Sequence, residues 1–161
     1  MKALHRVLWA ALAAAVVFCP VKGVRTGEAV AAAPALPGTN VIIGGRLIRV
    51  TAELALDPAT PIPEGPAVRL NAAIGIRTAD PRGLPPGLAL RSFRAISRKG
   101  SWSSPVIMYT TFAYDPQSQG GGASGGPLWE QGTRTNVIVE MTRAGRTHRV
   151  TVRNVPVGRL P

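Results

Sequence analysis

Residues 135–155 decide the fold of this chain and read TNVIVEMTRAGRTHRVTVRNV. Apolar and polar residues alternate on both sides of the corner Arg143–Arg146, which contains a glycine. Alternation with a period of two around a short glycine turn is typical of an antiparallel hairpin with one apolar face. The pattern predicts an inward set of Val137, Val139, Met141, Val150 and Val152. Because an isolated hairpin is marginally stable in water, this apolar face must pack against further strands.

Four other stretches are predicted to supply those strands. Residues 47–56 and 68–77 alternate regularly, residues 88–97 alternate with a slip near Ser92 that predicts a bulge, and residues 105–114 form the fourth. Residues 115–127 are rich in glycine and serine, which favours a mobile loop. Short strands separated by proline and glycine loops predict an all-β fold. We expect a single antiparallel two-sheet β-sandwich of immunoglobulin-like or fibronectin-like architecture over residues 34–161.

The amino terminus has the pattern of an export signal. Basic residues in Met1–Arg6 precede the uncharged apolar run Val7–Phe18, which is too short to span a bilayer as a helix. We therefore predict that residues 1–33 are a signal helix and flexible lead-in, and that the domain is periplasmic or secreted, with no transmembrane span. Cys19 leaves open an alternative in which the chain is a lipoprotein.

The predicted domain is strongly basic. Without residues 1–33 the balance is 15 basic against 7 acidic residues, or +8. This charge favours an anionic envelope surface or a protein partner, and the candidate contacts are Arg143, Arg146, Arg149 and Arg153. Aromatic residues are too few for base stacking, so nucleic acid is not expected. The alternative is that these arginines only occupy the solvated faces of strands.

Other contacts and sites are limited by the residues present. Beyond residue 33 the chain has one histidine, His148, and no cysteine, so we expect no metal site and no cofactor. His148 is predicted to be partly buried or on a sheet edge. Trp102 and Trp129 either cover the open ends of the sandwich or contact a partner.

The segment Gly122–Leu128 reads GASGGPL and resembles the Gly-Asp-Ser-Gly-Gly-Pro-Leu segment around the nucleophile of chymotrypsin-like serine proteases. The resemblance implies that Ser124 is a nucleophile, with the backbone amides of Gly122 and Ser124 as the oxyanion hole. It departs from the family at Ala123, and the only histidine upstream of the serine is His5. We therefore predict a non-enzymatic binding or accessory module of the cell envelope, with a small serine hydrolase as the alternative.

Overall fold

The computed structural model describes residues 36–57, 69–109 and 115–159, and every regular element in these ranges is a β-strand. The predicted signal helix and lead-in, residues 1–33, lie outside the described residues. The nine strands are β1 Gly38–Ile43, β2 Arg46–Asp57, β3 Arg69–Thr78, β4 Ala89–Ser97, β5 Gly100–Pro105, β6 Ile107–Met108, β7 Ser118–Gly126, β8 Arg134–Arg143 and β9 Arg146–Arg159.

The hairpin predicted from residues 135–155 is confirmed as β8 and β9. The two strands pair antiparallel around Ala144 and Gly145, whose φ angles are 47° and 74°. Positive φ at both central residues is the geometry of a type I′ turn, whose twist matches that of the flanking strands. The inward set of five apolar residues is buried, so the predicted facing is correct.

The other alternating stretches also face as predicted. Ile48 in β2 and Ile74 in β3 belong to rows of buried residues that continue through both strands. The predicted bulge is confirmed, because the register of β4 against β8 shifts between Leu90 and Ser92. The inward side chains of these strands form one hydrophobic core together with Phe93 and Met141.

The strands form one nearly closed, barrel-like sheet, so the prediction of a two-sheet sandwich is wrong. Their order is β5-β4-β8-β9-β2-β3-β7-β6, and β1 pairs with β2 outside this path. The strands at the two ends of the path are consecutive in the chain, since β5 pairs with β4 while β6 pairs with β7. Residues 100–108 therefore bring the ends of the sheet together, and the backbone N–H of Val106 between them donates to the carbonyl oxygen of Arg91 at 2.8 Å.

The junction of β9 with β2 explains why a sandwich does not form. The first part of β9 pairs with β8, and its last residues, Val157–Arg159, pair in parallel with Leu54–Leu56 of β2. Near the end of the ladder with β8 the register shifts opposite Asn136, and Asn154 adopts a φ of 56°. A bulge of this kind bends the strand. As a result β9 carries the hydrogen-bonded ladder across the gap that would separate two sheets.

Besides β7, two strands were not predicted from the sequence. The first is β1, which forms a hairpin with β2 through Gly44 and Gly45 at φ angles of 58° and 73°. The second is β5, which pairs with β4. Of the predicted strand 105–114, the described part contains β6, and residues 110–114 lie outside the described residues.

The prediction of a mobile loop over residues 115–127 is also wrong, because Ser118–Gly126 is strand β7, which lies between β3 and β6. Its glycines have a packing reason. A Cβ atom on Gly121 would lie 2.5 Å from the carbonyl oxygen of Ile107 and 2.6 Å from Cγ1 of Val106. Only glycine permits this close approach, so a composition typical of loops here serves a tightly packed strand.

Candidate functional site

The hairpin arginines, Arg143, Arg146, Arg149 and Arg153, lie on the outer face of β9 or beside the turn that precedes it. Arg146, Arg149 and Arg153 are exposed, whereas Arg143 is half-buried. What each of them can bind depends on the partners that it already has.

Arg149 has a carboxylate partner. Its Nε donates to Oε1 of Glu140 at 2.6 Å, and the Ser92 hydroxyl donates to Oε2 of the same carboxylate at 2.8 Å. These two hydrogen bonds, that of Ser92 first, hold the pKa of Glu140 below its usual range. Because Glu140 stays ionised at neutral pH, the charge of Arg149 is compensated locally.

Arg143 is occupied in packing. Its guanidinium lies over the β1–β2 turn, so that a Cβ atom on Gly44 would lie 2.6 Å from Cζ of Arg143. Its Nε is buried and has no hydrogen-bond partner among the described residues. The side chain therefore joins two neighbouring turns and presents little of itself to a partner.

The two outer arginines of β4 donate to neutral hydroxyl groups. Nε of Arg91 donates to the hydroxyl of Thr142 at 2.8 Å, and Nη2 of Arg94 donates to the hydroxyl of Ser101 at 3.3 Å. A shallow depression of 520 Å³ lies among Arg94, Glu140, Arg149 and their neighbours. We call this surface, formed by β4, β5, β8 and β9, the paired face.

A different group of polar side chains lies on the outer face of β1, β2, β3 and β7. Cross-strand register places Asn40 opposite Arg49, Arg49 opposite Arg77, and Arg77 opposite Ser118. Directly opposed residues lie about 4.5–5.5 Å apart at Cα, and their side chains share one face of the sheet. We call these four residues the arginine row. Within it the guanidinium group of Arg49 leans toward β1, where it packs against Gly38.

The charges of the arginine row have no close counter-charge. Neither Arg49 nor Arg77 forms an ion pair within 4 Å in the part of the chain that the structure describes. Nη2 of Arg49 donates to the carbonyl oxygen of Leu36 at 3.2 Å. Like charges directly opposite each other in a sheet are destabilising, so the pair opposes folding as long as nothing binds to it.

The nearest acidic residues are already engaged. The side chain of Arg82 donates to Asp80 at distances of 2.6 to 3.2 Å, and these bonds hold the pKa of Asp80 far below its usual range. The hydroxyl of Ser118 donates to Asp115 at 2.7 Å and lowers the pKa of that carboxyl, with a smaller contribution from the charge of Arg77. Both acids are ionised, and both are directed to groups outside the arginine pair.

Arg46 fixes the loop beside the row. Its Nη1 donates to three successive carbonyl oxygens, those of residues 82–84, at 3.1, 2.6 and 3.0 Å. Its Nε lies 3.9 Å from the carboxylate of Asp80. The loop therefore forms a fixed wall, and an open depression of 750 Å³ lies between it and the arginine row.

The surface next to the row contains two glycines. One step along the strands, Thr51 lies opposite Gly75, and Gly75 lies opposite Gly120. A Cβ atom on Gly75 would lie 2.8 Å from Oγ1 of Thr51, and a Cβ atom on Gly120 would lie 3.7 Å from the ring of Tyr109. The side chains of Thr51 and Tyr109 therefore occupy the space beside these glycines.

The two tryptophans predicted as possible contacts lie in packed positions. Trp129 is only 4% exposed and belongs to the core, and Trp102 is half-buried. The rings of Trp102 and Phe93 meet edge to face, with centroids 4.9 Å apart. Both tryptophans thus have a role in packing, and the burial of Trp129 leaves little of its surface for a partner.

Ser124 lies exposed on β7, and His148 is half-buried on β9 opposite Met141, as predicted for this histidine. Strands β2 and β3 lie between β9 and β7 in the sheet. At a spacing of about 4.8 Å per strand, this separates the serine and the histidine strands by roughly 14 Å along the sheet. The described part of the chain thus brings no histidine within hydrogen-bonding reach of Ser124.

In residues 36–57, 69–109 and 115–159 there is no group of three or more histidine, cysteine or acidic side chains that could hold a metal ion. No helix among these residues is long and apolar enough to cross a membrane.

The arginine row was not predicted from the sequence, although the alternation pattern already indicated which face of each strand its arginines occupy. The alternation in residues 47–56 and 68–77 places Arg49 and Arg77 on the outer face of their strands. What the sequence did not supply was the register, which decides that they lie opposite each other. No protein-family model, curated protein or solved structure matches this chain.

Proposed function

We propose that the protein is an exported, non-enzymatic binding module of the cell envelope, and that the arginine row holds anionic groups of the envelope surface. The observation that supports this proposal is the direct opposition of Arg49 and Arg77 with no ion pair to a described residue. Each guanidinium group presents parallel N–H donors, which match the geometry of phosphate or carboxylate. A bound anion would also remove the repulsion between the two groups.

The surroundings of the row favour an anion over a cation or a neutral ligand. Asn40 adds an amide donor at one end of the row, whereas the Ser118 hydroxyl at the other end already donates to Asp115. The ligand groups can reach the row through the open depression that borders Asn40, Arg49 and Arg77. The remaining exposed cations, including Arg146 and Arg153, strengthen attraction to an anionic surface at longer range.

This proposal refines the role of the hairpin arginines. Arg149 is compensated by Glu140 and Arg143 is packed over Gly44, so both contribute less than their exposure on a strand or turn suggested. Exposed ion pairs contribute little to binding elsewhere, because a partner must first compete with the existing one. We therefore assign the main contacts to Arg49 and Arg77.

A sedimentation assay with vesicles tests the proposal. We expect the protein to bind vesicles that contain phosphatidylglycerol and to be released as the salt concentration rises, because the field of exposed charges is screened within about 10 Å at 0.1 M salt. A basic residue close to an anionic membrane contributes about 1 kcal/mol. The double substitution Arg49→Gln and Arg77→Gln should therefore weaken binding by about 30-fold.

The matched control is the double substitution Arg149→Gln and Arg153→Gln, which removes the same net charge from the paired face. It should weaken binding by less than about fivefold, because Arg149 is already compensated. Equal losses in the two double variants would mean that only net charge matters and that the arginine row is not a site. Binding that does not respond to salt in any variant would also contradict the proposal.

A further inference from the structure

Two large apolar side chains stand exposed beside the arginine row. Ile42 of β1 lies opposite Leu47 of β2, and they are 72% and 58% exposed. Both belong to the hairpin that turns at Gly44 and Gly45, where the Arg143 side chain lies against Gly44. We call Ile42 and Leu47 the apolar tip.

The apolar tip and the arginine row are consecutive levels of the same surface. Leu47 and Arg49 are separated by two positions on β2 and so point to the same side, about 7 Å apart along the strand. Ile42 and Asn40 have the same relation on β1. The surface therefore changes from two exposed aliphatic side chains to a line of cations and polar donors within one step.

The group of cations around the tip extends beyond the row. Arg46 follows the turn directly, and Arg143 lies against Gly44 from the neighbouring hairpin. The acid nearest to these groups is Asp80, which Arg82 already binds. Exposed aliphatic side chains enclosed by arginines have the charge pattern that complements an anionic lipid surface.

Another exposed apolar group lacks this combination. Ile107, Met108 and Tyr109 are exposed on and after β6, next to the glycines of β7. They adjoin residues 110–114, which lie outside the described part of the chain. No described arginine lies in register beside them, since Ile107 and Met108 face Gly122 and Gly121.

We infer that the apolar tip inserts into the surface of an anionic lipid bilayer while Arg49 and Arg77 hold the lipid phosphate groups. This inference rests on the proposed function and names the lipid bilayer as the anionic surface. A separation of about 7 Å between tip and row matches the 5–10 Å depth at which apolar side chains of surface-bound proteins lie below the headgroups. The apolar tip then lies among the acyl chains, and the arginine row lies at the headgroups of the same leaflet.

Removal of the apolar tip tests the inference. The double substitution Ile42→Thr and Leu47→Thr places β-branched residues on exposed strand positions, so thermal unfolding should change little. Binding to phosphatidylglycerol vesicles should weaken by on the order of tenfold for each side chain that leaves the bilayer. Ile107→Thr removes an aliphatic side chain that is 70% exposed elsewhere and should leave vesicle binding unchanged.

Soluble polyphosphate separates this inference from the proposed function. Polyphosphate offers the same anionic groups without an apolar phase, so its affinity should be unchanged in the Ile42→Thr and Leu47→Thr variant and should fall in the Arg49→Gln and Arg77→Gln variant. If the threonine variant binds vesicles as tightly as the original protein, the apolar tip does not insert, although the arginine row remains a site. If the glutamine variant keeps both affinities, the proposed function fails and the inference fails with it.

A depth measurement gives an independent readout. In a Leu47→Trp variant, lipids with brominated acyl chains should quench the added fluorescence when vesicles are bound. In a Thr151→Trp variant, with the indole exposed on the paired face, the same lipids should not quench. Equal quenching at both positions, or quenching at neither, overturns insertion through the apolar tip. Binding to neutral vesicles with the same affinity would overturn the role of the lipid phosphate and its accompanying negative charge.

Discussion

The arginines of the paired face and those on the face of β1, β2, β3 and β7 have different partners. On the paired face, Arg149 binds Glu140, and Arg91 and Arg94 donate to hydroxyl groups. On the face of β1, β2, β3 and β7, Arg49 and Arg77 lie directly opposite each other with no described ion pair. The difference lies in how far each charge is compensated by its neighbours.

This difference shows why net charge alone does not locate a binding surface. Arginines that are paired with acids or hydroxyl groups stabilise the folded chain or solvate a strand, and they have little capacity left for a ligand. An opposed pair of arginines lowers stability in the absence of a ligand. Functional sites are the places where such local conflicts are expected to persist.

The largest expected effect tests whether these are outer faces at all. Val139→Asp places a carboxylate among the buried residues of β8 and β9, at a cost of several kcal/mol, and should unfold the protein. Arg153→Asp, on the exposed side of β9, should change the free energy of unfolding by no more than about 0.5 kcal/mol. Urea unfolding curves measure both. The reverse ranking would mean that the assigned faces of the hairpin are exchanged.

A smaller effect concerns Glu140, whose carboxylate compensates the charge of Arg149 on the paired face. Hydrogen bonds from Ser92 and Arg149 lower the pKa of Glu140, so the folded state binds fewer protons there than the unfolded chain does. The stabilisation is present above the unfolded pKa of about 4.3 and is lost as the pH falls through the lower folded value.

Thermal unfolding between pH 7 and pH 2 checks this expectation. Glu140→Gln should remove part of the loss of stability in acid, whereas Glu53→Gln on the other face should leave the acid profile closer to that of the original protein. A Glu140→Gln profile identical to the original would mean that the ion pair with Arg149 has no effect on folding.

The fold was predictable in its local features and not in its closure. Alternation identified the inward residues of β2, β3, β8 and β9, because a strand with one buried face must repeat every two residues. It could not distinguish a sandwich from a closed sheet, since both have the same alternation. That outcome depends on the end of β9, which pairs with β2 from Val157 onward, after the bend at Asn154.

Glycine was the other source of error. In β7 it allows close packing against Ile107 and Val106, a reason that is invisible without the neighbouring strand. The hairpin arginines were predicted as a patch because Arg149 and Arg153 share a strand face and the other two flank the turn, all within one hairpin. Arg49 and Arg77, by contrast, come opposite each other only through the pairing of β2 and β3. Long-range register is therefore the information that the sequence did not supply.

The smallest expected effect is also the most direct test of the central claim, that Arg49 and Arg77 are opposed for a ligand and not for stability. Threonine suits an exposed strand position, so Arg77→Thr and Arg149→Thr differ mainly in the charge that they remove. At low salt, Arg77→Thr should raise the free energy of unfolding by a few tenths of a kcal/mol, because it relieves the repulsion from Arg49. Arg149→Thr should lower it by about 0.2–1 kcal/mol, because it removes the partner of Glu140.

The measurement is urea unfolding of both variants at low salt, together with their affinity for phosphatidylglycerol vesicles. The account predicts opposite signs for the two changes in stability, with a clear loss of vesicle binding only in Arg77→Thr. If Arg77→Thr destabilises the protein as much as Arg149→Thr does, and leaves vesicle binding intact, the arginine row is an ordinary solvated surface and the account is contradicted.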